Sequence, residues 1–419
     1  MIASFVHLAD VHLGYQQYGH PERFNDFGRA FLSAVRFGVE NQVGFVLISG
    51  DLFHKSAIDP PTLLQAVSGL QELREAGIAV IGVVGNHDRP RYRDRFSWLD
   101  YLAERGHLVL LSPVFDEEQI RLPLSNGSEG AYLDIDGVRI YGVPYLGASI
   151  RPVLAGVLDA LADQDNNDVG FTVLMAHFGL EGEMPGVPGG LSHNEVAPLG
   201  DCTDYLALGH WHKPFEREGW IYNPGTLETC AMDEYRWQGG FYHVTVNTES
   251  HPKHRARHIR GRRRPFRRLI IPVDECATPH DLYNGLRARL EAEKSAISSS
   301  ELDPVVEVTL DGVLAFDRGS LDTGHIQEVV NEALRPLIVR VRNHTRASEF
   351  EIPFEERLTR RELERKVLTD LVLRDSRYRD RAEVWAELMS EVKTMALAGS
   401  SPEAIVATMR ERVVEPSED

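Results

Sequence analysis

Five short apolar runs, each ending abruptly in acid, amide or imidazole side chains, constrain this chain more than any other feature of its 419 residues. Residues 4–9 lead into Asp10-x-His12, residues 45–49 into Gly50-Asp51, and residues 79–84 into Gly85-Asn86-His87-Asp88. Residues 171–176 lead into His177, and residues 205–208 into Gly209-His210-x-His212. Runs of this length read as strands, and a polar residue directly beyond such a strand lies in the crevice at the carboxyl edge of a sheet, where α/β folds bind ligands. Carboxylate, amide oxygen and imidazole nitrogen together suit a divalent cation of borderline hardness such as manganese. A carboxylate shared by two such cations holds them close enough to act on one phosphate, and Asp51 is the natural bridge. His7 differs from the rest, because it lies inside its run rather than beyond it, and is read as a packing residue.

Between the runs lie stretches with helical spacing. Residues 23–40 place Phe24, Phe27, Ala30, Phe31, Ala34 and Val35 on one side, and residues 60–76 open on prolines and carry Leu63, Leu64, Val67, Leu70 and Leu73. Strands alternating with such helices indicate an α/β sheet with covered faces. Residues 131–143 alternate around Asp136-Gly137 as a hairpin does, and with the runs ending at His177 and His210 they build a second sheet. Residues 180–200, rich in Gly and Pro, read as a long loop that shapes access to the crevice.

Composition narrows the setting. No apolar run approaches the ~20 residues of a membrane span, and the amino terminus runs straight into a strand, so a cytoplasmic protein without membrane contact is expected. Cys202, Cys230 and Cys276 are too few and too scattered for a disulfide framework or a metal-ligand spacing. A net charge of −18 runs against binding to polyphosphate, yet nine Lys and Arg crowd between Lys253 and Arg268 with no acid among them. That stretch reads either as a solvated linker or as a surface beside a nucleic acid. Residues 269–350 then read as a compact α/β unit. Residues 351–419 are helical, with apolar stripes at Leu363, Val367 and Leu371, at Val384, Leu388 and Val392, and at Ile405, Met409 and Val413. The chain lacks a Gly-rich phosphate loop ending in Lys and Ser or Thr, so an associated ATPase would be a separate subunit.

The five motifs resemble those of the calcineurin-like metallophosphoesterase superfamily. The run from His7 to Gly14, together with Gly50-Asp51-Leu52-Phe53-His54, narrows the resemblance to the SbcD-type (meiotic recombination eleven) nucleases of DNA double-strand-break repair. The resemblance implies an α/β fold: a two-sheet sandwich flanked by helices over residues 1–250, a basic linker over 251–268, a smaller DNA-capping domain over 269–350, and a helical ATPase-docking arm over 351–419. It implies two Mn2+ per subunit, with Mg2+ or another divalent metal able to substitute. One would bind Asp10, His12, Asp51 and His212, the other Asp51, Asn86, His177 and His210. His87 would face the phosphate and give a proton to the departing oxygen, Asp88 would orient the His87 ring, and His54 would be a second phosphate-facing histidine. The activities implied are 3′-to-5′ exonuclease and single-strand endonuclease. The partners implied are DNA, a coiled-coil ABC ATPase of the SbcC type, and a second copy of the chain met through the helix after Pro61 and another around residues 96–102. Two rival readings use the same residues: a phosphoesterase for small substrates, and a scaffold for DNA and ATPase whose metals are idle.

Overall fold

The computed structural model describes residues 1–91, 94–116, 119–165, 169–184, 190–297, 302–347, 360–373 and 378–414. Residues 185–189 of the Gly- and Pro-rich loop and the expected boundary at 350/351 lie outside them. Among the described residues one sheet orders its strands His254–Arg260, Gly240–Asn247, Ile2–Leu8, Phe45–Ile48, Ala79–Gly82, Val109–Leu111 and Glu129–Gly130. The other runs Phe215–Arg217, Ile221–Asn223, Tyr205–Gly209, Phe171–His177, Val138–Val143 and Tyr132–Ile135. The strands that carry the motifs pair in parallel, Phe5 opposite Phe45 in the first sheet and His177 opposite Gly209 in the second, so all five motifs emerge at carboxyl edges.

Buried residues on both faces explain why these runs lack polar alternation. Phe5, Phe45, Leu47 and Ile81 of the first sheet meet Val173, Met175, Tyr205 and Ala207 of the second in one apolar layer. The opposite face of the first sheet, through Val6, Val46, Ile48 and Val80, packs on helices Pro21–Glu40, Pro60–Glu75 and Trp98–Glu104. Helix Ile150–Ala162 covers the second sheet through Leu154, Val157 and Leu161. The hairpin read from the sequence is present, with Ile135 opposite Val138.

The basic stretch corrects its reading as a linker. Residues His254–Arg260 form an edge strand antiparallel to Gly240–Asn247, and Phe266–Pro272 already belongs to a third sheet. Between them Arg264 is buried, its guanidinium bonded to Asp26 at 2.6 and 3.0 Å and to the carbonyl of Asp303. Arg23, also buried, meets the same Asp26 and Glu228, while Arg29 reaches Asp26 from the surface. The interior charges are therefore paired, as burial demands. The third sheet contains Phe266–Pro272, Val305–Leu314 and Ile338–Ala347. With helices Pro279–Ile297 and Thr323–Leu334 it encloses a separate core around Leu269, Leu286, Val308 and Ile326.

The described residues 360–373 and 378–414 belong to a second compact unit. Within it, helices Arg360–Leu373 and Ala382–Leu397 pack on each other, with Lys393 paired to Glu364, and Pro402–Val414 packs against the second of them. Val372, Ala386 and Leu388 are buried, whereas Leu363, Leu371, Val384 and Met389 remain exposed.

Asp26→Ala leaves two buried guanidiniums short of their shared acid and is expected to cost about 3–5 kcal/mol. Arg255→Ala, on the exposed face of the edge strand, should change stability by less than about 0.5 kcal/mol. Urea midpoints measured in chelator check both.

Candidate metal centre

The first two motif loops run side by side. Asp10 N–H donates to the Gly50 carbonyl at 3.1 Å, His12 N–H to Asp51 at 3.0 Å and Leu13 N–H to Leu52 at 2.9 Å. Asp10, His12, Asp51 and His210 all have left-handed backbones, with φ of 51°, 54°, 55° and 91°. A residue with a Cβ rarely adopts that conformation, at a cost on the order of 1–3 kcal/mol each. The crowding explains why glycines alternate with these residues: a Cβ on Gly85 would lie 2.1 Å from Asp51 Oδ1, and one on Gly209 would lie 2.1 Å from the Ser49 carbonyl oxygen.

Each half of the centre gathers around Asp51. On one side, donor atoms of Asp10, His12 and Asp51 all lie within 4.8 Å of one another, and His12 Nε2 is 3.1 Å from His212 Nε2. On the other, His177 Nε2 lies 3.4 Å from Asp51 Oδ2 and 3.0 Å from Asn86 Oδ1, and His210 Nδ1 is 3.0 Å from the same amide oxygen. The halves are joined across the sheets, because the His210 N–H donates to both oxygens of Asp10 at 3.0 and 3.2 Å.

These contacts bring lone pairs face to face. His177 Nδ1 must donate to the Ser49 carbonyl at 2.7 Å, so in the neutral ring Nε2 presents a lone pair to two oxygens. His212 Nδ1 likewise donates to Glu234 Oε1 at 2.7 Å, turning the lone pair of its Nε2 toward His12. Acceptors that converge in this way suit a cation between them, and oxygen with imidazole nitrogen is the donor set of a divalent metal. A proton is the competing filler. Burial disfavours charge on His177, but Asp51 and then Asp10 outweigh it and bring the pKa up to about 9. Burial drives Asp10 up to about 6 and His210 down to about 4, and it holds His12 well below its ordinary value.

His87 and His54 stand beside this cluster with ring centroids 5.4 Å apart. His87 Nδ1 donates to the His54 carbonyl at 2.7 Å, which leaves Nε2 free toward the crevice. That contact corrects the role expected of Asp88. The Asp88 carboxylate accepts from the backbone N–H groups of Phe53, Gly85 and Leu52 at 3.0, 3.1 and 3.3 Å, so it ties two loops together and leaves the His87 ring to His54. Burial, and then the charge of Asp51, push its pKa up to about 7. Three participants were not found by sequence reading. Tyr15 stacks on His54 at 3.7 Å, Glu234 fixes His212, and Tyr145 lies 5.4 Å from His210 between ring centroids. Tyr15 and Glu234 do not directly follow an apolar run, the signal that reveals the others, and Tyr145, two residues beyond strand Val138–Val143, is neither acid, amide nor imidazole.

Two sheets that meet at one edge around such donors define a phosphoester hydrolase built on metal-binding side chains. The chain belongs to the calcineurin-like phosphoesterase family, which matches residues 3–214. Among curated relatives, the DNA double-strand break repair protein Mre11 of Aeropyrum pernix is 28% identical over 317 residues, or 73% of this chain and 72% of the relative. The protein of the same name from Archaeoglobus fulgidus is 35% identical over 240 residues, 55% of this chain and 51% of the relative, so the chain spans about half the length of that protein. A solved dimetal phosphatase from Danio rerio aligns with 62% of this chain and 97% of its own at 13% identity and a TM-score of 0.38.

Gly85→Ala sets a methyl group against Asp51 backbone and carboxylate and should abolish tight divalent-cation binding while costing about 1–3 kcal/mol. Gly285→Ala has open space around it inside a helix and should stabilise by up to about 1 kcal/mol. Calorimetric Mn2+ titration and thermal unfolding of the two variants distinguish the effects.

Proposed function

We propose that this phosphoesterase is a DNA nuclease of double-strand-break repair, hydrolysing phosphodiesters with two divalent cations, preferably Mn2+, as a 3′-to-5′ exonuclease and single-strand endonuclease. The observation that carries the reading is the doubled donor set around Asp51, with His87 and His54 stacked beside it. The relatives named as DNA break repair proteins support DNA as the substrate. In this reading Asp10, His12, Asp51 and His212 hold one cation, and Asp51, Asn86, His177 and His210 hold the other.

Bound divalent cations supply Lewis acidity to the phosphate and make water acidic enough to act as nucleophile near neutral pH. The chain's own groups do the rest. Asp51 keeps the two halves at one spacing, and the Asp10 carboxylate, gripped by the His210 N–H, keeps the sheets in register there. Water oxygen bonds to phosphorus as the phosphorus–oxygen bond to the leaving sugar breaks in line; with a second proton on its ring, His87 gives the one on Nε2 to that sugar oxygen, and the proton shed by the attacking water restores it. His54 acts as an uncharged ring, since burial, then His87 and Lys55, bring its pKa down to about 4. Its Nδ1 is buried without a partner among the described residues. No covalent protein intermediate is required.

The reading extends to partners. The exposed Leu363, Leu371, Val384 and Met389 of the carboxyl-terminal unit suit docking to a coiled-coil ABC ATPase of the SbcC type. For a homodimer, Leu63 and Val67 pack toward the core, while Leu64 and Phe96 are 66% and 55% exposed and supply the apolar face. Arg255, Arg257 and Arg260 on the edge strand, with Arg262 beyond it, are the exposed arginines of the basic stretch available to DNA phosphates. A cytoplasmic location accords with this work, and among the described residues no helix is long and apolar enough to cross a membrane.

Labelled DNA incubated with Mn2+ should be cleaved, and chelator should stop it. Hydrolysis of p-nitrophenyl phosphodiesters with intact DNA would instead move the assignment to a small-substrate phosphoesterase. In the same assay His87→Ala should retain both cations and DNA binding yet cleave on the order of a hundredfold more slowly. Near-normal cleavage by that variant would remove His87 from the chemistry.

A further inference from the structure

His7, read from the sequence as a packing residue, lies fully buried in the Ile2–Leu8 strand with its ring directed across the apolar layer to the second sheet. Its two nitrogens make three polar contacts. Nδ1 is 3.0 Å from the Tyr205 hydroxyl, and Nε2 is 3.1 Å from both the Leu208 carbonyl and the Ser49 hydroxyl. A carbonyl can only accept, so Nε2 carries the hydrogen. Nδ1 then accepts from the Tyr205 O–H, and Ser49 spends its own hydrogen on the Ala207 carbonyl at 3.0 Å. Every group in this small network is satisfied with a neutral ring, and burial accordingly holds the His7 pKa down at about 3.

The residues that His7 grips are those that position one half of the metal centre. Ser49 offers its carbonyl to His177 Nδ1 at 2.7 Å, and Leu208 immediately precedes Gly209-His210. Gly209 in turn packs so closely on the Ser49 carbonyl that no Cβ fits between them. By contrast, His212 is fixed from another direction by Glu234, and His12 sits in the loop paired with Asp51 and Leu52. We infer that His7 is a positioning residue, a strut between the sheets that sets the placement of His177 and His210 and leaves His12 and His212 largely untouched. The inference rests on the two-cation reading of the site. It names a group outside the set of expected ligands and assigns it an asymmetric effect.

The apolar layer around His7 is already complete in Phe5, Phe45, Tyr205 and Tyr242, so a hydrophobic replacement removes the polar grip while retaining most of the packing. Partners of this kind behind metal-binding histidines typically change affinity about 10–100-fold when lost. The test is calorimetric and paramagnetic-resonance titration of the full chain with Mn2+, comparing wild type, His7→Leu, His7→Gln and Tyr205→Phe. Val173→Ala serves as a control that loosens the same layer without touching the network.

His7→Leu should weaken one of two binding steps about 10–100-fold and spare the other, and the weakened step should be the one that Asn86→Ala removes rather than the one that His212→Ala removes. Gln, able to donate to the Leu208 carbonyl, should restore part of the affinity. Tyr205→Phe, which keeps the ring and deletes a single hydroxyl, should weaken the same step less and guards against a His7 variant that fails to fold. Equal weakening of both steps, or a loss that merely follows stability as in Val173→Ala, overturns the strut. A wild-type chain that binds a single Mn2+ overturns the two-cation reading and the strut with it, a result recognisable before any variant is compared.

Discussion

The centre depends on one contact between the two halves of the molecule: the carboxylate of Asp10, at the end of a strand in the first sheet, accepts the backbone N–H of His210 at the end of a strand in the second. Two twisted sheets packed face to face leave their edges free to diverge. This contact forbids divergence where Asp51, His177 and Asn86 must meet. The aromatic and aliphatic layer between the sheets provides the bulk of the cohesion, through pairs such as Phe5 stacked on Phe45 at 4.9 Å and set edge-on to Tyr205 at 5.3 Å. Such packing is largely indifferent to an ångström of sliding, whereas a metal centre is not. Polar contacts at the rim turn a stable sandwich into an accurately registered one.

The same logic explains the backbone strain. Four motif residues with side chains occupy the left-handed region, and each is held there by neighbours that leave little alternative: the paired loops at residues 10–13 and 50–54, the Asp10 clamp on His210, and the glycine contacts at Gly85 and Gly209. Well-packed layers can sustain local costs of this size, and they deliver side chains at angles that a relaxed turn would not reach. The buried cluster of Arg23, Asp26, Glu228 and Arg264 acts at the next level, tying the first helix to the segment that enters the third sheet.

Much of this was legible in the sequence because the relevant signals are local. An apolar run followed by Asp or His states both strand and strand end, and all five such runs fold as read. The hairpin at Asp136-Gly137 and the helix opened by Pro60 also follow from neighbouring residues. What escaped was set by distance along the chain. Glu234 reaches His212 from 22 residues away in a single 3-10 turn, Met232–Arg236, and nothing in its surroundings marks it. Arg264 lies in a run of arginines that reads as a solvated linker or as a surface beside a nucleic acid, yet its partner Asp26 is 238 residues away and buried. Asp88 was assigned to the ring beside it in sequence, but three backbone N–H groups compete for the carboxylate and win. His7 lies in its strand as read, though its partners come from another strand, Tyr205–Gly209, and from Ser49 just beyond Phe45–Ile48, and cannot be anticipated from its position.

The register of the first strand has a temporal side. Ile2–Leu8 pairs on one flank with Phe45–Ile48 and on the other with Gly240–Asn247, more than two hundred residues later. During synthesis the amino-terminal motifs leave the ribosome long before His177, His210 and His212 exist, and the strand remains an open edge until residue 247 is available. A partly made chain therefore carries Asp10, His12, Asp51 and Asn86 but lacks His177, His210 and His212. The order of the motifs makes the unpaired flank of that first strand the surface most in need of protection while translation is under way.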